Sequence, residues 1–307
     1  MELYHNVFSL ASHHDSLSLS VLSVVPEKPK AVVQLAHGMC EHKERYLPFM
    51  RFLAEHGYAA FLNDHRGHGE SVLDKADLGY FYDGGARALI DDMHLVTAHI
   101  KSSYPSLPIA LFGHSMGSLA VRCYTKRYDK DIRALLVCGS PSANAFVGVM
   151  KKVDDLLIQA KGERARSPVI DAVFSGAFQA RFRSEGIENA WLSANRANVE
   201  AYNADPLCHF TFTLNGYKAL LDLLTDAYSD SGWRLENPQL PIRFLSGVND
   251  PCMVNRASFG RAVDHMRRGG YPNVSSRLFD GMRHEILNET EKESVYADVL
   301  DFLNNTL

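Results

Sequence analysis

The sequence places one serine where a nucleophile is expected. Residues Gly113-His114-Ser115-Met116-Gly117 follow the apolar run Ile109-Ala110-Leu111-Phe112. This is the G-x-S-x-G pattern of a nucleophile elbow, in which a strand ends, turns sharply at the serine and enters a helix. The residues after it, Leu119 to Tyr124, fit that helix. Flanking glycines suit a strained turn because the backbone there passes close to neighbouring elements. Such a turn holds the Ser115 hydroxyl out at the top of a sheet. It also aims the Met116 N–H at the point where an oxyanion forms.

A serine hydroxyl is a weak nucleophile at neutral pH. It needs a general base, and the base needs a carboxylate to set its tautomer. Two later segments supply these in the order serine, acid, histidine. Asp250 follows the strand-like run Ile242 to Ser246, and His284 follows the run Ser275 to Phe279. The chain has 14 histidines, so other bases compete. His265 sits within a predicted helix, His209 within an irregular region, and His114 beside the nucleophile. Asp280 competes as the acid, but it stands too near His284 to reach it from a separate loop. For Asp250 the plain alternative is a capping role for the helix after 253. The second oxyanion donor belongs on the loop after an early strand, Lys30 to Ala36, which points to the Met39 N–H paired with that of Met116.

Those loops need a scaffold. Short apolar runs (30–36, 58–63, 108–112, 133–138, 242–246 and 275–279) alternate with helical patterns, among them 47–56, 86–104 and 289–303. Continuous Val, Leu and Ile runs suit strands buried on both faces of a parallel sheet. Alternation with helices predicts an α/β, doubly wound, mostly parallel sheet. The first 25 residues alternate apolar and polar and read as an antiparallel hairpin on its edge. Residues 1–141 and 239–307 form the expected core. Between 142 and 238 the alternation stops. Val149, Val153, Leu156, Leu157 and Ala160 mark one helical face; Phe174, Phe178 and Phe182 repeat at i+4; Tyr217, Leu220, Leu221 and Leu224 mark another helix. A mostly helical insertion here reads as a lid, or cap, over the strand ends where sites form. The plainer reading is that these apolar faces pack on each other and on the core.

At 307 residues and net charge −4, the chain can bury a large core and offers no basic surface for nucleic acid. No signal segment or membrane span is visible. Five scattered cysteines, with no C-x-x-C pair, suggest neither zinc nor a disulfide framework, and a cytoplasmic setting is expected.

Four segments, taken together, resemble the monoacylglycerol lipase and lysophospholipase family of α/β-hydrolases. His37-Gly38-Met39-Cys40-Glu41-His42-Lys43-Glu44-Arg45-Tyr46 is similar to its H-G-x-x-E-H-x-x-R-Y segment. Asp64 to Ser71 resembles its D-x-R-G-H-G-x-S loop, Gly113 to Gly117 its elbow, and Gly281 to Glu289 its histidine segment. The resemblance implies a core sheet with an inserted helical cap, the triad Ser115, Asp250 and His284, and hydrolysis of acyl esters with no metal or organic cofactor. It puts Glu41 and Arg45 near the polar end of a substrate pocket, with His114 beside them; the alternative for Glu41 and Arg45 is a local salt bridge that orients the loop. His65, Arg66 and His68 are expected to brace their loop. Cys40 departs from the small residue, often Gly, of relatives. A small acyl-ester or lipid substrate is the expected partner, with transient lipid-surface contact through the cap. Two other readings are an amide or N-terminal peptide hydrolase of the proline-releasing type, with Glu185 and Glu188 as its amine-binding acids, and a non-catalytic binding module on the same fold.

Overall fold

The computed structural model describes residues 2–307, and the side chains of all of these except Ser175 and Ala177. Its centre is an eight-stranded sheet: β1 (Leu3–Ala11), β2 (Ser18–Pro26), β3 (Ala31–Ala36), β4 (Tyr58–Asn63), β5 (Ile109–His114), β6 (Ala134–Cys138), β7 (Ile242–Gly247) and β8 (Val274–Phe279). The spatial order is β1-β2-β4-β3-β5-β6-β7-β8. The expected hairpin is there: β1 pairs antiparallel with β2, and β2 antiparallel with β4. All later pairings are parallel.

Strands β3 to β6 are buried along their whole length. Their side chains alternate between two cores, as the period of two requires. Val32, Leu111, Leu135 and Val137 join one cluster; Val33, Phe112, Leu136 and Cys138 join the other. Helices α1 (Leu47–Glu55) and α9 (Lys292–Thr306) cover the second face. The first face is covered by α2 (Gly85–Ser103), α3 (Met116–Tyr128) and α8 (Arg256–Arg268). The acid and base loops, like the elbow, leave the carboxyl ends of parallel strands. They therefore meet on one edge of the sheet.

Between β6 and β7 lie four helices: α4 (Val147–Lys161), α5 (Pro168–Arg181), α6 (Arg196–Ala204) and α7 (Leu214–Ala227). They divide into two kinds. Leu214, Tyr217, Leu220 and Leu223 of α7 belong to the main core cluster, so α7 is a layer of the core. The apolar face foreseen on α4 is largely turned the other way. Leu156 is 64% exposed, Val149 and Val153 are also exposed, and the acidic Asp154 is buried instead. Leu157 alone of that set packs inward. The Phe repeat of α5 does pack: Phe174 stacks on Tyr217 at 4.9 Å and Phe178 lies 5.1 Å from Trp191.

Candidate active site

Ser115 sits at φ +55°, ψ −118°, between the last residue of β5 and the first of α3. A non-glycine residue in that region stores strain that only the surroundings can hold. They do so tightly. The Ser115 N–H donates to the Cys138 carbonyl at 3.0 Å, and the Ser115 carbonyl accepts from Ser118 Oγ at 2.5 Å. A Cβ on Gly117 would strike the Ala36 carbonyl, so helix and β3 can only approach this closely with glycine there. The first amides of α3 have no partner within the helix, and Met116, its first residue, directly follows the serine at the positive end of the helix dipole.

His284 and Asp250 meet at the end of the sheet. His284 Nδ1 lies 3.0 Å and 3.1 Å from the two Asp250 oxygens, and both residues are buried. Asp250 also accepts from Ser246 Oγ at 2.9 Å and from the Cys252 N–H at 2.8 Å. The capping alternative does not hold: the helix after 253, α8, is capped by Asn255, whose side chain accepts from the Ser258 N–H, while the Asp250 carboxylate caps only the short 3-10 helix Pro251–Met253. Burial alone would raise that carboxyl. The His284 partner and the donated hydrogen bonds outweigh it and hold Asp250 below its ordinary value. A carboxylate on Nδ1 fixes the tautomer that leaves Nε2 free to accept a proton. The rival groups stand elsewhere. Asp280 is exposed and faces Arg256 at 3.7 Å. His265 faces Asp230, and His209 faces Glu188.

The loop after β3 runs against the nucleophile. A Cβ on Gly38, the residue before Met39, would lie 3.0 Å from Ser115 Cβ. Three neutral imidazoles brace the loop. His37 Nε2 accepts from the His65 N–H at 2.9 Å, so Nδ1 carries the proton that it donates to the Gly38 carbonyl at 2.7 Å. Burial lowers His37, and takes His65 to about 3 and His68 to about 4. Arg66 is buried among Asp92, Asp15 and backbone carbonyls. Cys40 holds φ +55°, a conformation glycine adopts at lower cost, and donates its thiol to the Phe210 carbonyl at 2.8 Å.

Glu41, Arg45 and His114 enter one buried polar network. Glu41 accepts from the Gly38 N–H at 2.5 Å, from Tyr46 Oη at 2.8 Å and from Arg45 at 2.8 Å. The same guanidinium binds both oxygens of Glu285, at 2.7 and 2.8 Å. Asn198, from α6, donates to Glu285. His114 lies 3.4 Å from Glu41 and 3.2 Å from the His284 carbonyl. Burial opposes charge here, but His114 and Arg45 hold Glu41 well below the usual carboxylate range, and Arg45 lowers Glu285. The arrangement is that of a clamp joining the oxyanion-side loop to the residue next to His284.

The sequence and the fold both have relatives. A family model described as "Serine aminopeptidase, S33" matches residues 27–291. The chain belongs to that family. It is 27% identical over 280 residues to a monoacylglycerol lipase of Mycolicibacterium smegmatis, covering 90% of this chain and 88% of the relative. It is 29% identical over 192 residues to the human monoglyceride lipase, covering 58% of this chain and 52% of that one. Among solved structures, a thermostable carboxyl esterase from Bacillus coagulans in complex with glycerol superposes with a TM-score of 0.89 at 24% identity, over 100% of this chain and 99% of that one. The fold is that of the α/β-hydrolases.

Within this S33 member, sequence reasoning missed several residues around the base. Trp191, from the inserted segment, lies 5.2 Å from the His284 ring, on which His114, already singled out from the sequence, also packs at 4.7 Å. Cys252 Sγ is 4.0 Å from His284 Nε2. Glu285 was visible as the neighbour of His284, but its partner Arg45 is 240 residues away, and no local pattern links them.

Proposed function

We propose that this chain is a serine hydrolase of carboxylic esters, with Ser115, Asp250 and His284 as its triad and monoacylglycerol-type acyl esters as its substrate class. The reading rests on one observation: a buried His284–Asp250 pair at 3.0 Å on the sheet edge that also carries the strained Ser115. His284 Nε2 takes the Ser115 proton as Oγ attacks the ester carbonyl. The Met39 and Met116 N–H groups hold the resulting oxyanion, each worth roughly 3 kcal/mol in the transition state. His284 then protonates the leaving alcohol, and the acyl group stays on Ser115. Water repeats the cycle and releases the carboxylic acid. Glu41, Arg45 and His114 act as positioning residues for this machinery, because their hydrogen-bonding groups are engaged with one another.

Esters are favoured over peptide N-termini by the state of the acids. An aminopeptidase needs free carboxylates for the substrate amine, yet Glu185 is paired with Arg283 and Glu188 with His209. The names of the relatives point the same way. Helices α4 to α6 serve as the cap. Exposed Phe146, Val149, Val153, Leu156, Val169 and Val173 give it an apolar outer surface suited to transient contact with lipid. Among the described residues no helix is long and apolar enough to cross a membrane. Five buried, unpaired cysteines suit a reducing compartment. The test is turnover of p-nitrophenyl acyl esters and monoacylglycerols beside prolyl amides. Wild type is expected to hydrolyse the esters and Ser115→Ala to be inactive; equal rates in the two, or preference for the amides, overturns the reading.

A further inference from the structure

Outside the triad, one cluster of unlike donor groups joins the core to the inserted segment. His42, on the loop after β3, Asp205 and Cys208, after α6, bring one nitrogen, one oxygen and one sulfur within 4.8 Å of one another. His42 Nε2 lies 2.9 Å from Asp205 Oδ2. The turn Asp205-Pro206-Leu207-Cys208 closes with the Cys208 N–H on the Asp205 carbonyl at 3.0 Å, which keeps both side chains on one side. His42 Nδ1 is bonded to Glu44 Oε2 at 2.7 Å. That carboxylate aims Nε2 at the other two groups, the arrangement that orients histidines on metal ions and strengthens them as ligands. His42 and Cys208 are buried, while the Asp205 side chain is 29% exposed and opens the cluster to solvent.

We propose that His42, Asp205 and Cys208 bind a divalent transition-metal ion, with Zn2+ the best match. Mixed nitrogen, oxygen and thiolate donors with a fourth position open to water are a zinc set, and the observed spacing needs only small shifts to reach ligand distances of about 2.0–2.3 Å. Binding replaces the His42–Asp205 hydrogen bond by two metal bonds and adds a third from sulfur. Two protons leave to solvent: that of the Cys208 thiol, and the Nε2 proton that His42 donates to Asp205 in the metal-free site. The ion would tie two segments already in contact: the His209 N–H donates to the Cys40 carbonyl, and Cys40 Sγ to the Phe210 carbonyl. It would therefore pin the loop carrying Met39 to the chain between α6 and α7. A second cluster, Asp250, Cys252 and His284, lies in the candidate active site and serves as the internal control.

The experiment titrates the full chain with Co2+, followed optically, and then with Zn2+ in competition. A thiolate on cobalt gives a near-ultraviolet charge-transfer band that nitrogen and oxygen ligands do not. One equivalent is expected to produce the band, and Zn2+ to abolish it. Cys208→Ser is expected to lose the band and Cys252→Ser to keep it. Asp205→Asn and Glu44→Gln should keep the band but weaken binding, the latter ~10–100-fold. Zn2+ should raise the unfolding midpoint of wild type and of Cys252→Ser, but not of Cys208→Ser. No band in wild type, or a band that survives Cys208→Ser and vanishes with Cys252→Ser, overturns the proposal. Should Cys208→Ser fail to fold, Asp205→Asn decides: unchanged affinity there also overturns it.

Discussion

The strand-end loops and the outer helices of the insertion are built on opposite principles. In the loops, the carboxylates of the site are buried and answered: Asp250 by three donors, Glu41 by Arg45, Tyr46 and a backbone N–H. On α4 and the start of α5, apolar side chains such as Val149, Leu156 and Val169 face outward, while Asp154 is buried and its carboxylate oxygens have no hydrogen-bond partner among the described residues. The first pattern gives one geometry and holds reacting groups still. The second is unfavourable for an isolated chain in water, and is the feature on which the proposed contact with lipid rests.

The sharpest break of this contrast is Asp250→Asn. It keeps the shape but presents an N–H where His284 needs an acceptor, so kcat on a soluble ester should fall by about 10⁴ with little change in the unfolding midpoint. Next is Arg45→Ala, which leaves Glu41 and Glu285 buried and facing each other. Urea unfolding should show a loss of ~3–5 kcal/mol. On the other side, Asp154→Leu should stabilise. Burial raises that carboxyl from its ordinary value to about 6, with Lys218 opposing. Its folded value lies above its unfolded one, so wild-type stability is undiminished below about pH 4 and is lost as the pH rises towards 6. The Asp154→Leu midpoint should exceed wild type by several degrees at pH 7.5 and converge with it at pH 4. The smallest effect belongs to Val149→Ser with Leu156→Ser. Stability should stay within about 0.5 kcal/mol, and soluble-ester turnover should be unchanged. Binding to phospholipid vesicles, measured by sedimentation, should fall several-fold; unchanged binding would remove the lipid-surface role from α4.

The same contrast explains what could be read from the sequence. Sheet, hairpin, elbow and acid–base order were legible because each rests on a local rule: apolar runs between turn residues, a glycine-flanked serine, loops at strand ends. The Arg45–Glu285 pair and the Trp191–His284 contact join residues far apart in the chain, and no spacing announces them. On α4 the periodicity was real but its direction was not given. A helical stripe states that a face exists, and only the packed neighbours state whether it turns to the core. Likewise α7 shares its pattern with α4, yet it docks on α2 and α3 and belongs to the core.

One guanidinium has a further consequence. Arg45 bonds to Glu41, whose other oxygen holds the Gly38 amide, and to Glu285, next to the base. The two halves of the site therefore cannot drift apart independently over evolutionary time. Relatives that alter one of positions 41, 45 and 285 should alter the others with it. A redesign that remodels either loop must carry all three residues as a unit.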